Sequence, residues 1–156
     1  MSHGLLGHYF ANADALLLAA YRDLGDRFLR RFEDELDGDA AAPWDALQRF
    51  FALTFAHEWA GPDMLGAWSA FWTLVRTRAD YGAASAAFNA RLRALLARFA
   101  ARLPPPVLPL DEAVALQAAV MDGLWLDFSL GGGSSDASRE RAAALCMAAA
   151  RRLFGG

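Results

Sequence analysis

The chain opens with Ser2-His3-Gly4-Leu5-Leu6-Gly7-His8-Tyr9-Phe10, and this segment runs into a long amphipathic stretch that begins at Asn12. Ser2 can cap a helix, because its hydroxyl oxygen accepts a hydrogen bond from a backbone N–H two or three residues on. Asn12 is placed to cap a second helix, with Asp14 near the positive N-terminal end of that helix. The two caps predict a first helix of about two turns, which joins a much longer one. A helix that short needs a tertiary partner for its stability.

The rest of the chain has a helical period as well. Apolar residues recur every three or four positions in each long segment, and no run alternates as a β-strand does. Pro43, Gly61-Pro62 and the prolines at 104–106 mark the starts or ends of helices. The predicted fold class is therefore all-α. Six helices are expected after the opening segment, at about 13–36, 43–59, 62–75, 80–99, 111–128 and 137–154.

The amino-acid composition narrows the classes of protein to which the chain can belong. A chain of 156 residues, 56% of them hydrophobic, suits a single domain with a sizeable core. The net charge of −3 lacks the positive balance with which a stand-alone nucleic-acid binder attracts phosphate. One cysteine rules out an internal disulfide, and neither a signal peptide nor an uncharged apolar run of about 18 residues is present. We expect a cytoplasmic protein with no membrane segment.

Two pairs of residues suggest a binding cavity. Trp68 and Trp72 are four positions apart and share one helix face, and Asp122 and Trp125 share a face of another helix. If the two faces meet, they enclose a hollow with three indoles and one carboxylate. Such a site suits an organic cation, which gains about 0.5–2 kcal/mol over an aromatic face. The alternative is that the indoles are core residues and that Asp122 caps a backbone group or binds an arginine.

The polar residues near this candidate site each allow more than one interpretation. Arg76 lies one turn beyond Trp72 and is able to pair with Asp122, to bind an anionic ligand or to stay exposed. Asn89 lies among apolar residues, where a buried amide either holds helices in register or contacts the ligand. Of His57 and Glu58, at most one is expected to face the cavity, since adjacent helical residues diverge by about 100°. The predicted ligand-binding residues are Phe55, Trp68, Trp72, Arg76, Asn89, Asp122 and Trp125.

The sequence offers little for catalysis or for a metal site. The motifs of zinc proteases, of serine hydrolases and of dinucleotide-binding loops do not occur. His3, His8 and His57 lack the spacing of metal ligands, and a single cysteine makes no zinc site. We predict that the protein is not an enzyme and has no catalytic residues, no metal and no cofactor.

The last two predicted helices carry faces that fit a partner. Small and apolar residues recur at helical spacing on both, which permits close helix packing. Two such helices from each of two copies make a four-helix bundle with an isologous interface. The alternative is that these faces complete the core of a single chain. The predicted interface residues are Val114, Gln117, Met121, Leu124, Ala142, Leu145, Cys146, Ala149 and Leu153.

Several motifs together resemble a known family. The stretches Gly4 to Phe10 and Asn12 to Leu17 look like the end of the helix-turn-helix in TetR-type transcriptional regulators. Ala67-Trp68-Ser69-Ala70-Phe71-Trp72, Asn89 and Asp122-Gly123-Leu124-Trp125-Leu126 are similar to the ligand-sensing half of the BetI-like branch. That branch includes repressors that respond to choline or betaine aldehyde. The resemblance covers essentially the whole chain and implies a TetR-like regulatory domain of about six helices, the last two forming a dimeric four-helix bundle.

The resemblance also implies a domain division. Family members carry roughly forty more residues at the N-terminus, which form the first two helices of the DNA-binding domain. Residues 1–11 then correspond to a remnant of the recognition helix, and residues 12–156 to the ligand-binding and dimerisation domain. Operator DNA is an expected partner only where the missing helices are present. By resemblance the DNA-binding residues of the remnant are Ser2, His3, Gly4, Gly7, His8 and Tyr9.

A testable expectation follows for DNA. A recognition helix is positioned by packing on the helix that precedes it. These 156 residues alone are therefore expected to show no sequence-specific operator binding. A salt-dependent, sequence-selective gel shift with this chain would contradict that expectation.

The predicted function is that of a repressor whose small-molecule effector, bound in the Trp-lined cavity of a homodimer, causes release of DNA. The mechanism is a population shift between two packings that differ in affinity for the effector. One alternative is an orphan module without DNA binding, which buffers a metabolite or forms heterodimers with a full-length partner. An in-frame upstream extension that encodes two more helices would favour the repressor. A small helical enzyme is the remaining alternative, and it would need a polar cluster that the sequence does not show.

Overall fold

The fold, described by a computed structural model, is built of helices throughout the described backbone. The structure describes residues 3–38, 42–131 and 135–155, with side chains in these ranges except at 3–12, 36 and 38. Within these ranges no β-strand occurs, which confirms the all-α prediction. The helices are α1 (His3–Gly38), α2 (Pro43–Thr54), α3 (His57–Ala60), α4 (Pro62–Val75), α5 (Ala79–Ala100), α6 (Leu110–Leu130) and α7 (Asp136–Phe154).

Helix α1 corrects the prediction for the start of the chain. A short helix followed by a second one capped by Asn12 was expected, but the backbone is one continuous helix from His3 to Gly38. Its 36 residues make it about 54 Å long. The reason is cooperativity: once a helix exists, each further residue adds a hydrogen bond, and Asn inside a helix costs less than about 1 kcal/mol. The predicted cap Ser2 lies outside the described residues.

The predicted second helix, 43–59, is divided in the structure. It begins at Pro43 as expected, but α2 ends at Thr54 and the single turn α3 follows. Ala56 between them is extended, with φ −62° and ψ 153°. In an unbroken helix Phe55 and Trp59 would share a face. The break sends Phe55 into the main core and Trp59 into a second cluster.

Two apolar clusters hold the helices together. The main core joins α1, α2, α5, α6 and α7, and its centre contains Phe50, Phe51 and Phe99, each almost fully buried. The second cluster lies between α1, α3, α4 and the start of α5. It consists of Tyr21, Leu24, Trp59, Trp68, Phe71 and Tyr81. Helix α1 takes part in both clusters, so any movement of α1 disturbs both.

The seam between α6 and α7 lies within one chain. Gln117 is 1% exposed and its Nε2 donates to the backbone oxygen of Cys146 at 3.3 Å. Burial raises the pKa of the Cys146 thiol to about 12. The predicted interface residues Val114, Gln117, Met121, Ala142 and Cys146 are all buried in this seam or beside it, so the structure assigns them to the core of a single chain. They are buried because the small-residue face of α7 packs on α6 of the same chain.

The outer side of the α6–α7 pair is more exposed than the seam between the two helices. Among the predicted interface residues, Leu145 is 45% exposed, and Leu124, Ala149 and Leu153 are partly buried. Leu116 of α6 is exposed to a similar extent, and Leu130 more so. The apolar surface that remains available to a partner is therefore this outer side of α6 and α7.

Helix α6 also passes a length and composition test for a membrane span. Its 21 residues include an 18-residue window with a mean hydropathy of 1.3. One such helix is weak support for a span. Here α6 packs against α5 and α7 and contributes buried side chains to the main core, as a core helix does.

Candidate ligand-binding cavity

A cavity of about 330 Å³ lies where α1, α3, α4, α5 and α6 meet. This volume is within the range of small-molecule sites, which are typically apolar clefts with a few polar groups. Its wall contains Trp68 and Trp72 from α4, and Asp122 and Trp125 from α6. The two helix faces singled out in the sequence therefore meet around one hollow, which is the geometry that the spacing predicts.

The indole rings form the aromatic part of the wall. The rings of Trp72 and Trp125 meet edge to face, with centroids 5.1 Å apart and an interplanar angle of 69°. Trp68 is 8% exposed and contacts Phe88 of α5, with ring centroids 5.9 Å apart. Trp72 is 39% exposed. The aromatic wall is thus buried on one side and reaches solvent at Trp72.

Asp122 is the acidic group of the cavity. No ion pair reaches its carboxylate within the part of the chain that the structure describes. Loss of hydration raises the pKa of the Asp122 carboxyl, and the positive charge of Arg93 offsets part of this increase. The residue as a whole is exposed, so its carboxylate is desolvated only in part. A bound cation would compensate for this, because an opposite charge favours the ionised form.

Five of the seven predicted ligand-binding residues line the cavity, and two do not. Phe55 is fully buried elsewhere, against Phe128, with ring centroids 6.2 Å apart. Arg76 is exposed as the residue that caps the C-terminus of α4, where its charge stays hydrated, and it forms no ion pair with Asp122. His57 is exposed, and its Nδ1 lies 3.2 Å from a guanidinium nitrogen of Arg139. The five residues on the wall are Trp68, Trp72, Asn89, Asp122 and Trp125.

Sequence reasoning missed part of the wall. Tyr21 and Phe28 on α1 are seven positions apart, and Ser85, Phe88 and Leu92 on α5 have the i, i+3, i+7 spacing of one face. These spacings were available in the sequence, but they also fit a core. Trp59 gave no such signal, because only the break before α3 places it at the cavity. Burial raises the pKa of the Tyr21 hydroxyl, and a hydrogen bond with Ser85 lowers it.

A second hollow, of about 290 Å³, lies between α1 and α5 and shares Tyr21 and Phe88 with the first. Gly25 permits the close approach of the two helices here. A Cβ atom at position 25 would stand 3.0 Å from Cδ2 of Phe88. Phe88 is therefore held between the backbone of α1 and the candidate ligand cavity.

Gly25→Ala is expected to weaken ligand binding without loss of stability. Alanine favours the helix by about 0.5–1 kcal/mol over glycine, which offsets the crowding of Phe88. The displaced ring would narrow the candidate cavity and lower ligand affinity by about three- to tenfold. Calorimetric titration with choline and a thermal melt measure the two effects. Gly66→Ala is the matched control, since nothing lies within 4 Å of a Cβ there. An equal affinity change in both variants would contradict the prediction.

The predicted DNA-binding segment is described only in part. Residues 3–9 form the first turns of α1. The side chains of His3, His8 and Tyr9 lie outside the described residues, as does Ser2. Their contact with DNA stays a prediction, as it does for Gly4 and Gly7.

The chain is similar to known transcriptional regulators over most of its length. Residues 43–155 match a family model described as the C-terminal region of BetI-type transcriptional repressors. The HTH-type transcriptional regulator BetI of Stenotrophomonas maltophilia is 32% identical over 143 residues, which cover 90% of this chain and 71% of that protein. BetI 1 of Chromohalobacter salexigens is 29% identical over 146 residues, which cover 90% and 69%. A solved structure of a Pseudomonas aeruginosa PAO1 protein, assigned as a transcriptional regulator, has a TM-score of 0.75 and 26% identity and covers 100% of this chain and 76% of its own.

Proposed function

The chain belongs to the BetI-type family of TetR transcriptional regulators, and on that premise we propose that residues 12–156 sense a small organic cation and pair with a second copy. Residues 1–11 are, in this proposal, the end of a DNA-recognition helix. Regulators of this family act on transcription and are not enzymes. We expect the protein in the cytoplasm, where its operator would be.

One observation favours an organic cation over other classes of ligand. The rings of Trp72 and Trp125 meet at 5.1 Å on the wall that also holds Asp122, whose carboxylate has no ion-pair partner among the described residues. Indole faces and a partly desolvated carboxylate without an ion-pair partner both favour a cation of low hydration, such as a quaternary ammonium group. Choline and its uncharged carbon analogue 3,3-dimethylbutan-1-ol have the same shape. Binding of choline in preference to that analogue tests the proposal directly.

Trp72→Ala is expected to weaken cationic and neutral aromatic ligands alike. The ring supplies both cation–π energy and apolar contact, and its loss corresponds to about 1–2 kcal/mol, or about five- to thirtyfold in affinity. Titrations with choline and with benzyl alcohol measure the effect. Trp44→Ala is the control, because Trp44 lies away from the cavity beside Arg151. Unchanged affinity for both probes in Trp72→Ala would remove this wall from the proposal.

The response to ligand would pass through α1. Tyr21 and Phe28 bring α1 into the cavity wall, and ion pairs of Asp26 with Arg91 and of Asp14 with Arg78 join it to α5 and to the residue before α5. A ligand that binds better to one position of α1 shifts the population toward that position. In a dimer with DNA-binding helices ahead of α1, such a shift would change the spacing of the two DNA-reading heads and release the operator.

The proposed dimer uses the outer side of α6 and α7. Gln117 contacts Cys146 across the seam, and the residues that precede them, Leu116 and Leu145, are exposed. They are 46% and 45% exposed. Two copies of such a helix pair form an isologous four-helix bundle.

A second candidate function is an orphan module that binds the ligand or forms heterodimers but does not bind DNA. It is favoured by the net charge of −3, since the chain lacks the positive balance with which a nucleic-acid binder attracts phosphate. The genomic sequence upstream separates the two candidates. An in-frame extension encoding two further helices supports the repressor.

A further inference from the structure

The groove between α1 and α5 has the features of a second binding site. It is a hollow of about 290 Å³ that shares only Tyr21 and Phe88 with the candidate ligand cavity. Gly25 on the α1 side has no side chain, and Ala84 and Ala87 on the α5 side have small ones. Open space therefore remains between the two helices on the outer side of the chain.

The floor of this groove is apolar and already formed. Leu29 is 1% exposed and Tyr21 is 3% exposed, so both present fixed side chains to the groove. On its far side the ring of Phe88 contacts Trp68 and Phe28, with ring centroids 5.9 and 6.1 Å apart. These contacts hold the ring between the two hollows. A ligand in the groove thus meets a preformed apolar surface, which favours an apolar body.

The charged residues of the groove favour a single negative charge. They are Arg22 and Asp26 on α1 and Arg91 on α5, so one net positive charge remains. Asp26 forms an ion pair with Arg91, whereas Arg22 has no ion pair within the described ranges. A guanidinium has five N–H donors, so Arg91 keeps donors that Asp26 does not use. Arginine binds a carboxylate through two parallel hydrogen bonds, while a dianion would be repelled more strongly by Asp26.

We propose that this groove binds a small carboxylate with a short apolar body. The carboxylate interacts with Arg22 and Arg91, and the apolar body lies on Phe88 and Leu29. The site is opposite in charge to the cation site and has its own charged residues, so it does not rest on the proposed function of the cavity. A bound carboxylate contacts both α1 and α5 and therefore stabilises the packing of α1 against α5.

Hexanoate and its neutral isostere hexanamide test the requirement for charge. At neutral pH the wild-type chain is expected to bind hexanoate about tenfold more tightly, since each ion pair with an exposed arginine contributes up to about fivefold. Arg22→Gln should reduce this preference to about threefold or less. Arg30→Gln is the matched control, because it removes a positive charge from the exposed surface of α1 outside the groove. NMR titration of the ¹⁵N-labelled chain gives the dissociation constants.

A blocking variant tests the location of the site while both arginines are kept. Ala87→Leu places a larger side chain in the groove and should lower the affinity for hexanoate more than about fivefold. Ala86→Leu is the matched control, since Ala86 is also exposed on α5 but lines neither hollow. Without ligand the two variants should melt at the same temperature. Hexanoate should raise the melting temperature of Ala86→Leu and not that of Ala87→Leu.

Each contrary outcome overturns the proposed carboxylate site. Failure of hexanoate to bind the wild-type chain, or binding of hexanamide with equal affinity, contradicts it directly. A preference that Arg22→Gln leaves at the wild-type value removes the charged contact. Hexanoate binding that survives in Ala87→Leu and is lost in Trp72→Ala places the ligand in the aromatic cavity instead. Choline binding is measured separately, so the failure of either site leaves the other standing.

Discussion

Asp122→Asn is expected to lower the affinity for choline by about thirtyfold, while the affinity for 3,3-dimethylbutan-1-ol stays the same. A charge pair at about 4 Å is worth about 1 kcal/mol in water and about 4 kcal/mol near a protein surface. Since Asp122 keeps an exposed fraction, we take about 2 kcal/mol, which corresponds to the thirtyfold change. Calorimetric titration of both ligands measures this difference. Asp127→Asn is the control, because Asp127 is on the same helix but not on the cavity wall.

The same substitution is expected to leave the fold intact or to stabilise it. The pKa of Asp122 is raised above its ordinary value in the folded chain, so the folded state holds a proton more tightly than the unfolded state. The stability contributed by protonated Asp122 is therefore lost as pH rises from the ordinary pKa through the raised one. Because asparagine at position 122 does not ionise, the variant avoids this loss of stability at neutral pH. A variant with lower choline affinity and a lower melting temperature would contradict this account, because the binding loss would then follow from unfolding.

Whereas stability decreases as pH rises, the affinity for choline is expected to increase as pH rises. Choline needs the ionised carboxylate, so its affinity should fall as pH decreases through the raised pKa of Asp122. Asp122→Asn should abolish this dependence. A pH profile that is unchanged in the variant would show that another group controls binding.

The second large effect concerns assembly. Leu116→Glu combined with Leu145→Glu is expected to turn the proposed homodimer into a monomer, with a dissociation constant raised more than about a hundredfold. Burying an unpaired carboxylate in an apolar interface costs several kcal/mol, and about 2.7 kcal/mol already gives a hundredfold change. Both leucines are nearly half exposed in a single chain, so the substitution leaves the core of the chain intact. Sedimentation velocity measures the assembly state, and circular dichroism shows that the helices remain.

Leu16→Glu serves as the control for this experiment. Leu16 is 73% exposed on α1, away from the outer side of α6 and α7, so the same change there should leave the dimer intact. A double variant that remains dimeric would place the interface elsewhere. A wild-type chain that is monomeric at micromolar concentration would contradict the proposed dimer itself.

Local signals in the sequence were sufficient to predict several features of the fold and of the cavity. Pro43 and Gly61-Pro62 start helices where the sequence places them, since proline fits the first turn of a helix and not its interior. The spacing of Trp68 with Trp72, and of Asp122 with Trp125, put each pair on one face of its helix. The structure confirms that both faces line one cavity. Family membership was recognisable from the same motifs and is confirmed by the match over residues 43–155.

Only the tertiary structure shows which helix faces pack against each other, because a helical period in the sequence leaves this open. A helical period identifies an apolar face but not the element that covers it. The sequence therefore could not tell that Gln117 and Cys146 meet inside one chain rather than across a dimer. It also did not show the break at Ala56, because no proline or glycine marks it and only the separate burial of Phe55 and Trp59 accounts for it. Helix periods and turn residues follow from local chemistry, whereas the choice of partner for each face depends on packing between residues far apart in the chain.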